Sequence, residues 1–95
     1  MKIRDLSVGV ARVKIEGLVT EKSEPRSVKL WDGRMARVAD VELKDESGSI
    51  IMSLWDDQIG MVNVGDKIMV VNGYVGSYRK EKRLSLGRYG KIVKI

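Results

Sequence analysis

The side chains of this sequence with chemistry to offer are five aromatics, Trp31, Trp55, Tyr74, Tyr78 and Tyr89, and a set of cations crowded into two stretches. There is no Phe, and Val, Ile, Leu and Met are numerous enough to fill a small core, which frees the aromatics for another use. Residues Ser23–Arg37 and Arg79–Lys94 together hold eleven basic residues against three acidic ones, a net of +8, and leave −3 for the rest of the chain. Flat rings beside gathered cations suit a ligand that alternates flat rings with anions. A nucleic acid with unpaired bases is such a ligand: stacking on Trp or Tyr is worth roughly 1–3 kcal/mol per base and tolerates any base, while Lys and Arg hold the phosphates. Cations that merely solvate loops are the other reading, but their segregation, with the rest of the chain net negative, favours a phosphate-binding groove.

Composition excludes much else. The chain has 95 residues, 18 Lys+Arg against 13 Asp+Glu and a net charge of +5, which describes one small basic domain over residues 1–95. Without Cys there are no disulfides, zinc–thiolate sites or thiol nucleophiles, and without His the commonest general base and metal ligand is missing. No enzyme, cofactor or metal is expected. Asp56-Asp57 with Asp45-Glu46 could suggest a Mg²⁺ site for a nuclease, but adjacent carboxylates beside turns more often cap or solvate. No apolar run is long enough to span a membrane, and MKIRDLSVGV lacks the apolar stretch of a signal peptide, so a cytoplasmic, nucleoid-associated protein is expected.

The elements that must position these side chains are strands, because the apolar pattern has a period of two. Val13, Ile15, Gly17 and Val19 share one face of a first strand, and Gly17 in its middle suggests a bend or bulge. Ala39, Val41 and Leu43 share a face of the second, and Asp45-Glu46-Ser47-Gly48 turns it into a third over Ser49–Trp55. In that strand Ile50, Met52 and Leu54 face one way, and Ile51, Ser53 and Trp55 the other. Asp56-Asp57 should cap a short helical turn over Gln58–Val62. A fourth strand runs from Lys67 to Tyr74 and on towards Tyr78, a fifth from Lys82 to Leu86, and the tail Lys91–Ile95 pairs back onto an edge. Ser23–Met35 reads as a long projecting hairpin loop with Trp31 near its tip and a two-residue turn at Asp32-Gly33. The order β-β-β-α-β-β is that of the five-stranded Greek-key oligonucleotide-binding (OB) barrel, with an antiparallel sandwich as the other candidate.

If Ile50, Met52 and Leu54 fill the barrel, Trp55 is outside it. Tyr74 and Tyr78, four apart, share a face, but Ile68 and Val70 have the same parity, so the pattern must flip between them; a bulge at Asn72-Gly73 would do it. Without the flip Tyr74 is a core residue. Trp31 either offers a further platform or folds back as a cap, and Tyr89 is expected to pack under the C-terminal strand. Ile51 and Ser53 form the groove floor.

The ordered set of Ile3-Arg4-Asp5-Leu6, Asp32-Gly33, Gly48 to Asp57, Val64-Gly65-Asp66 through Tyr78, and Leu84 to Gly87 followed by Gly90-Lys91-Ile92 covers nearly the whole chain. It resembles the simple archaeal single-stranded DNA-binding proteins and the DNA-binding domains of replication protein A. That resemblance implies that Trp55, Tyr74 and Tyr78 stack on successive bases, with Trp31 as an extra platform where the family often has a polar residue. It implies backbone contacts from Lys29 and Arg34 in the first loop and from Arg79, Lys80, Lys82 and Arg83 around the last connection; Arg37 and Arg88 join them from the same basic stretches. The implied partners are single-stranded DNA and proteins of replication, repair or recombination, bound by a monomer. Simple family members usually carry a long C-terminal tail that recruits other proteins, and this sequence stops at Ile95, either as a cut-out domain or with its partners bound elsewhere. An RNA-binding barrel and a protein-docking module with Trp31 and Trp55 as hot spots are the alternatives.

Overall fold

The alternation seen in the sequence is the alternation that packs. The computed structural model describes residues 1–86 and 89–95 in full. β1 (Val13–Lys22) buries Val13, Ile15, Gly17 and Val19. β3 (Met35–Asp45) buries Ala39, Val41 and Leu43, and β4 (Gly48–Trp55) buries Ile50, Met52 and Leu54. β5 (Lys67–Tyr78) and β6 (Glu81–Lys94) complete the wall and bring Ile68, Val70, Val75 and Leu84 inside. Among the described residues every buried core side chain is aliphatic or Met. Each such side chain contributes roughly 1.5–3 kcal/mol on burial, so the core is built without any aromatic.

The strands run in the order β1-β5-β6-β4-β3, and β1 pairs with β3 to close the ring. All barrel pairings are antiparallel except that of β4 with β6, where Ile51 faces Arg83 and Met52 faces Leu84. This is a closed five-stranded OB barrel. The β3–β4 register puts odd residues of β4 and even residues of β3 on a common outer face.

Several local expectations are corrected. The first loop is the projecting hairpin its sequence suggests, but one arm of it is a regular strand, Arg26–Lys29 (β2), which pairs with Met35–Val38. Its turn is not a two-residue Asp-Gly turn. Leu30 N–H donates to the Arg34 carbonyl at 2.8 Å, so three residues connect the strands, and of these only Gly33 has positive φ, at 88°. The helical turn is a 3₁₀ turn over Asp56–Met61, and the aspartates do not cap it. The residue before the turn is Trp55, whose N–H donates to Gln58 Oε1 at 3.1 Å, while Asp56 Oδ1 accepts the Arg37 N–H at 3.0 Å. Gly17 is not itself a bulge, since the register shifts of β1 fall between Val13 and Ile15 and between Val19 and Glu21. It is glycine because a Cβ there would lie 2.7 Å from Leu43 Cγ. The tail is not a separate strand: it is the end of β6, which pairs with β5 from Val71↔Lys91 to Ile68↔Lys94.

The β3–β4 hairpin is tied by Asp45. Its Oδ1 accepts from the Ser47 hydroxyl (2.6 Å) and the N–H groups of Ser47 (2.7 Å) and Gly48 (3.2 Å), and its Oδ2 accepts from Ile3 N–H (2.9 Å). Burial acts to raise the pKa of this carboxyl, but the bonds from Ser47, Ile3 and Gly48 together outweigh it and lower the value to about 2. A depressed folded pKa gives stability that is complete above the ordinary value of 3.8 and is lost as pH falls towards about 2. Denaturant unfolding followed across that window should show a steep loss for the native sequence and a shallower one for Asp45→Ala, which starts less stable at neutral pH.

Candidate nucleic-acid interface

Outward residues of β3, β4, β5 and β6 share one face. On β4 these are Ile51, Ser53 and Trp55, opposite Glu42, Asp40 and Val38 of β3. On β5 the inward parity of Ile68 and Val70 is broken at Asn72, which has φ +59°. The register shifts there, and Gly73 and Val75 become the buried residues. Asparagine tolerates the left-handed region better than most residues do. Gly73 now points inward against Val70, Leu84 and the Ser85 carbonyl, where a Cβ would sit within 3.1–3.2 Å of all three. The flip sends Tyr74 and Tyr78 outward, so Tyr74 is not a core residue.

Trp55, Tyr74 and Tyr78 are 39%, 44% and 52% exposed, and Trp31 at the tip of the β2–β3 hairpin is 97% exposed, so it does not fold back as a cap. All four line a single open groove of about 610 Å³. Burying such a side chain would contribute roughly 1.5–3 kcal/mol to folding, and four of them held in one groove is an arrangement that folding alone does not favour. Ser53, Ser77 and Ser85 supply hydroxyls between the rings, and Arg26, Lys29 and Arg83 supply charge.

The guanidiniums are held by one carboxylate. Asp40 of β3 has Arg83 Nη1 of β6 at 3.0 Å from Oδ1 and Arg26 Nη1 of β2 at 3.6 Å from Oδ2. Arg83 also lies 3.8 Å from Glu81 and places its guanidinium carbon 5.1 Å from the Tyr78 ring centre; that of Arg79 lies 5.3 Å from the same ring. Cation–π contacts of this kind contribute about 0.5–1 kcal/mol where exposed, and partly exposed ion pairs at most about 1 kcal/mol. The Arg26 pair, half exposed and 3.6 Å long, could be drawn away by a phosphate at small cost, whereas Arg83, whose side chain is only 19% exposed, is held more firmly by Asp40.

The structure does not bring every expected residue to the groove. Trp31, Trp55, Tyr74, Tyr78, Lys29, Arg83 and Ser53 line it. Arg79 and Lys80 form the exposed β5–β6 turn at its rim, beside Tyr78. Arg34 is turned onto Asp32 of its own hairpin, with Nε 2.6 Å from Oδ2. Arg37 is exposed on β3 but does not line the groove. Lys82 points away, its Nζ donating to the Leu6 carbonyl at 2.9 Å. Ile51 is not on the groove floor and lines two smaller hollows with Glu42. Tyr89 is exposed and lies away from the groove lining. Arg88 lies outside the described residues. The sequence reading missed Arg26 and Asp40. Asp40 shares its parity with Glu42 on the outer face of β3, and that parity was the available signal.

No helix among the described residues is long and apolar enough to cross a membrane, and no three of their acidic side chains gather as metal ligands would. Residues 2–94 match the model of the family described as single-stranded DNA binding protein Ssb-like, OB fold. The chain is 34% identical over 98 residues to a replication factor A of Methanothermobacter thermautotrophicus; the match takes in 96% of this chain but only 12% of that protein. The second OB-fold domain of replication protein A from Methanococcus maripaludis is similar in structure, with a TM-score of 0.82 and 26% identity over all of this chain and 93% of that one. The OB domain of a Thermoplasma acidophilum protein superposes with a TM-score of 0.86 over all of this chain and 85% of that one, at 23% identity, which speaks to the fold alone.

Proposed function

The chain belongs to the Ssb-like family of single-stranded DNA-binding proteins with an OB fold, and from that premise we propose that it binds single-stranded DNA with little regard to sequence, as a binding module of replication, repair or recombination rather than an enzyme. The observation that carries the reading is that Trp31, Trp55, Tyr74 and Tyr78 all line one open groove together with Arg26, Lys29 and Arg83. Unpaired bases stack on the four rings, and the phosphates between them draw Arg26 from Asp40 and meet Lys29 and Arg83. A duplex hides its base faces, and no helix among the described residues is set to enter a major groove, so paired DNA gains only the electrostatic part of the binding. The bound form is a monomer, and its protein partners are those of the DNA transaction it serves.

The test is tryptophan fluorescence during titration with a polypyrimidine DNA single strand, the matching duplex and the RNA equivalent at two salt concentrations. Strong quenching by single-stranded DNA, weakened by salt and weak with duplex, is expected. Equal or stronger quenching by the RNA would move the assignment to RNA, and silence with all three would end the nucleic-acid reading.

A further inference from the structure

Resting on the single-strand reading above, we infer that the bound strand occupies only one half of the outer face, and that Glu42 and Glu81 mark the end of its track. Main-chain pairing sets the outward residues in rows: Asp40 beside Ser53, then Glu42 beside Ile51, Arg83 and Gly76, with Glu81 facing Tyr78. The aromatic groove takes in Ser53, Arg83 and Gly76 but excludes Ile51 and Glu42. Ile51 instead floors two smaller hollows, one walled by Glu42, Glu81 and Lys82, the other by Glu21, Glu42, Lys22 and Asp40. The ion pair between Arg83 and Asp40 joins the groove wall to the wall of the second hollow, so a barrier of ordered side chains crosses the face where the groove stops.

The sign of the charge on offer changes at the same line. The groove presents Arg26, Lys29 and Arg83. The hollows present Glu21, Glu42 and Glu81, and their two lysines are engaged with main-chain carbonyls. Lys22 Nζ donates to Ile59 (2.6 Å) and Val62 (2.8 Å), and Lys82 Nζ to Leu6 (2.9 Å). Thr20 Oγ1 donates to Glu42 Oε1 at 2.7 Å, which fixes that carboxylate on the face. A phosphate leaving the groove on this side meets carboxylates well inside the screening length of about 10 Å at moderate salt. The four rings then set a footprint of roughly four nucleotides, one base to each platform.

The test compares the salt dependence of binding for oligothymidylates of about five and about ten nucleotides, for the native chain and for Glu42→Lys/Glu81→Lys. Each phosphate neutralised on a single strand contributes about 0.7 to the slope of log affinity against log salt. The native slope should be the same at both lengths. The double variant should leave the slope unchanged for the short strand and steepen it by about 1.4 for the long one. Glu81→Lys alone, at an exposed position, should give about half that change and guards against a folding defect at Glu42. A native slope that grows with length, or a variant slope that changes equally at both lengths or not at all, overturns the boundary while leaving single-strand binding intact. No binding of either oligomer by the native chain overturns both readings.

Discussion

Trp55→Ala weakens binding of a polypyrimidine single strand by about fivefold to about 140-fold, with its salt dependence preserved and its thermal stability little changed. The size follows from the loss of one base–indole stack, roughly 1–3 kcal/mol, at about 1.4 kcal/mol per factor of ten. The preserved slope follows because an indole neutralises no phosphate. The small effect on stability follows from position. The ring is outside the barrel and 39% exposed, and its neighbours Leu54 and Met52 on the same strand fill the core without it. The backbone N–H that donates to Gln58 Oε1 is kept in the alanine variant. Titration in the presence of a labelled oligonucleotide, repeated at several salt concentrations, measures both terms, and thermal unfolding checks the third. Unchanged affinity would remove Trp55 from the interface. A parallel loss of affinity and melting temperature would make it a structural residue.

Much of this arrangement is legible in the residue order, because a barrel this small is governed by parity. Ile50, Met52 and Leu54 could not be buried together without putting Ile51, Ser53 and Trp55 outside, and the structure follows that constraint. Parity fails where the backbone leaves the extended region. The flip at Asn72 could be suspected, because the tyrosines and the preceding apolar residues demanded opposite sides, but only the positive φ and the shifted register establish it. Side-chain direction at long cations was not legible at all. Lys82 and Arg83 are neighbours in one basic run, yet one ammonium reaches a carbonyl of the amino-terminal segment while the other residue lines the groove with its guanidinium turned to Asp40 just beyond it. Their alternation on β6 says that they diverge; which of them meets the groove depends on the parallel pairing of β4 with β6, a contact between segments far apart in sequence. Asp40 was missed for a related reason. An acid beside Glu42 on an outward face reads as solvation until two guanidiniums from other strands are seen to converge on it.

The β5–β6 turn sets stability against binding, and one double substitution separates them. Tyr78 pairs with Glu81, so Arg79 and Lys80 alone make the turn, with φ of 51° and 66°. Two successive positive values define the turn type whose twist suits a hairpin, and Asn-Gly is the pair that adopts it with least strain. A side chain with a Cβ in the left-handed region costs about 1–2 kcal/mol, and here two long cationic residues occupy it together. Arg79→Asn/Lys80→Gly should therefore stabilise the fold by about 1 kcal/mol or more, which raises the melting temperature of a domain this size by about 4–8 °C per kcal/mol. The same change takes two cations from the groove rim and a guanidinium from the face of Tyr78. Binding should weaken, and the salt slope should fall by about 1.4 if both cations meet phosphates. Melting curves and salt-dependent titrations on the one variant read the two effects with opposite signs. A lower melting temperature would show that the native turn is not strained. A stabilised variant that binds as well as the native chain would show that the strained cations do not reach the strand. The expected pairing, tighter folding with looser binding, follows if the turn sequence serves the ligand rather than the hairpin.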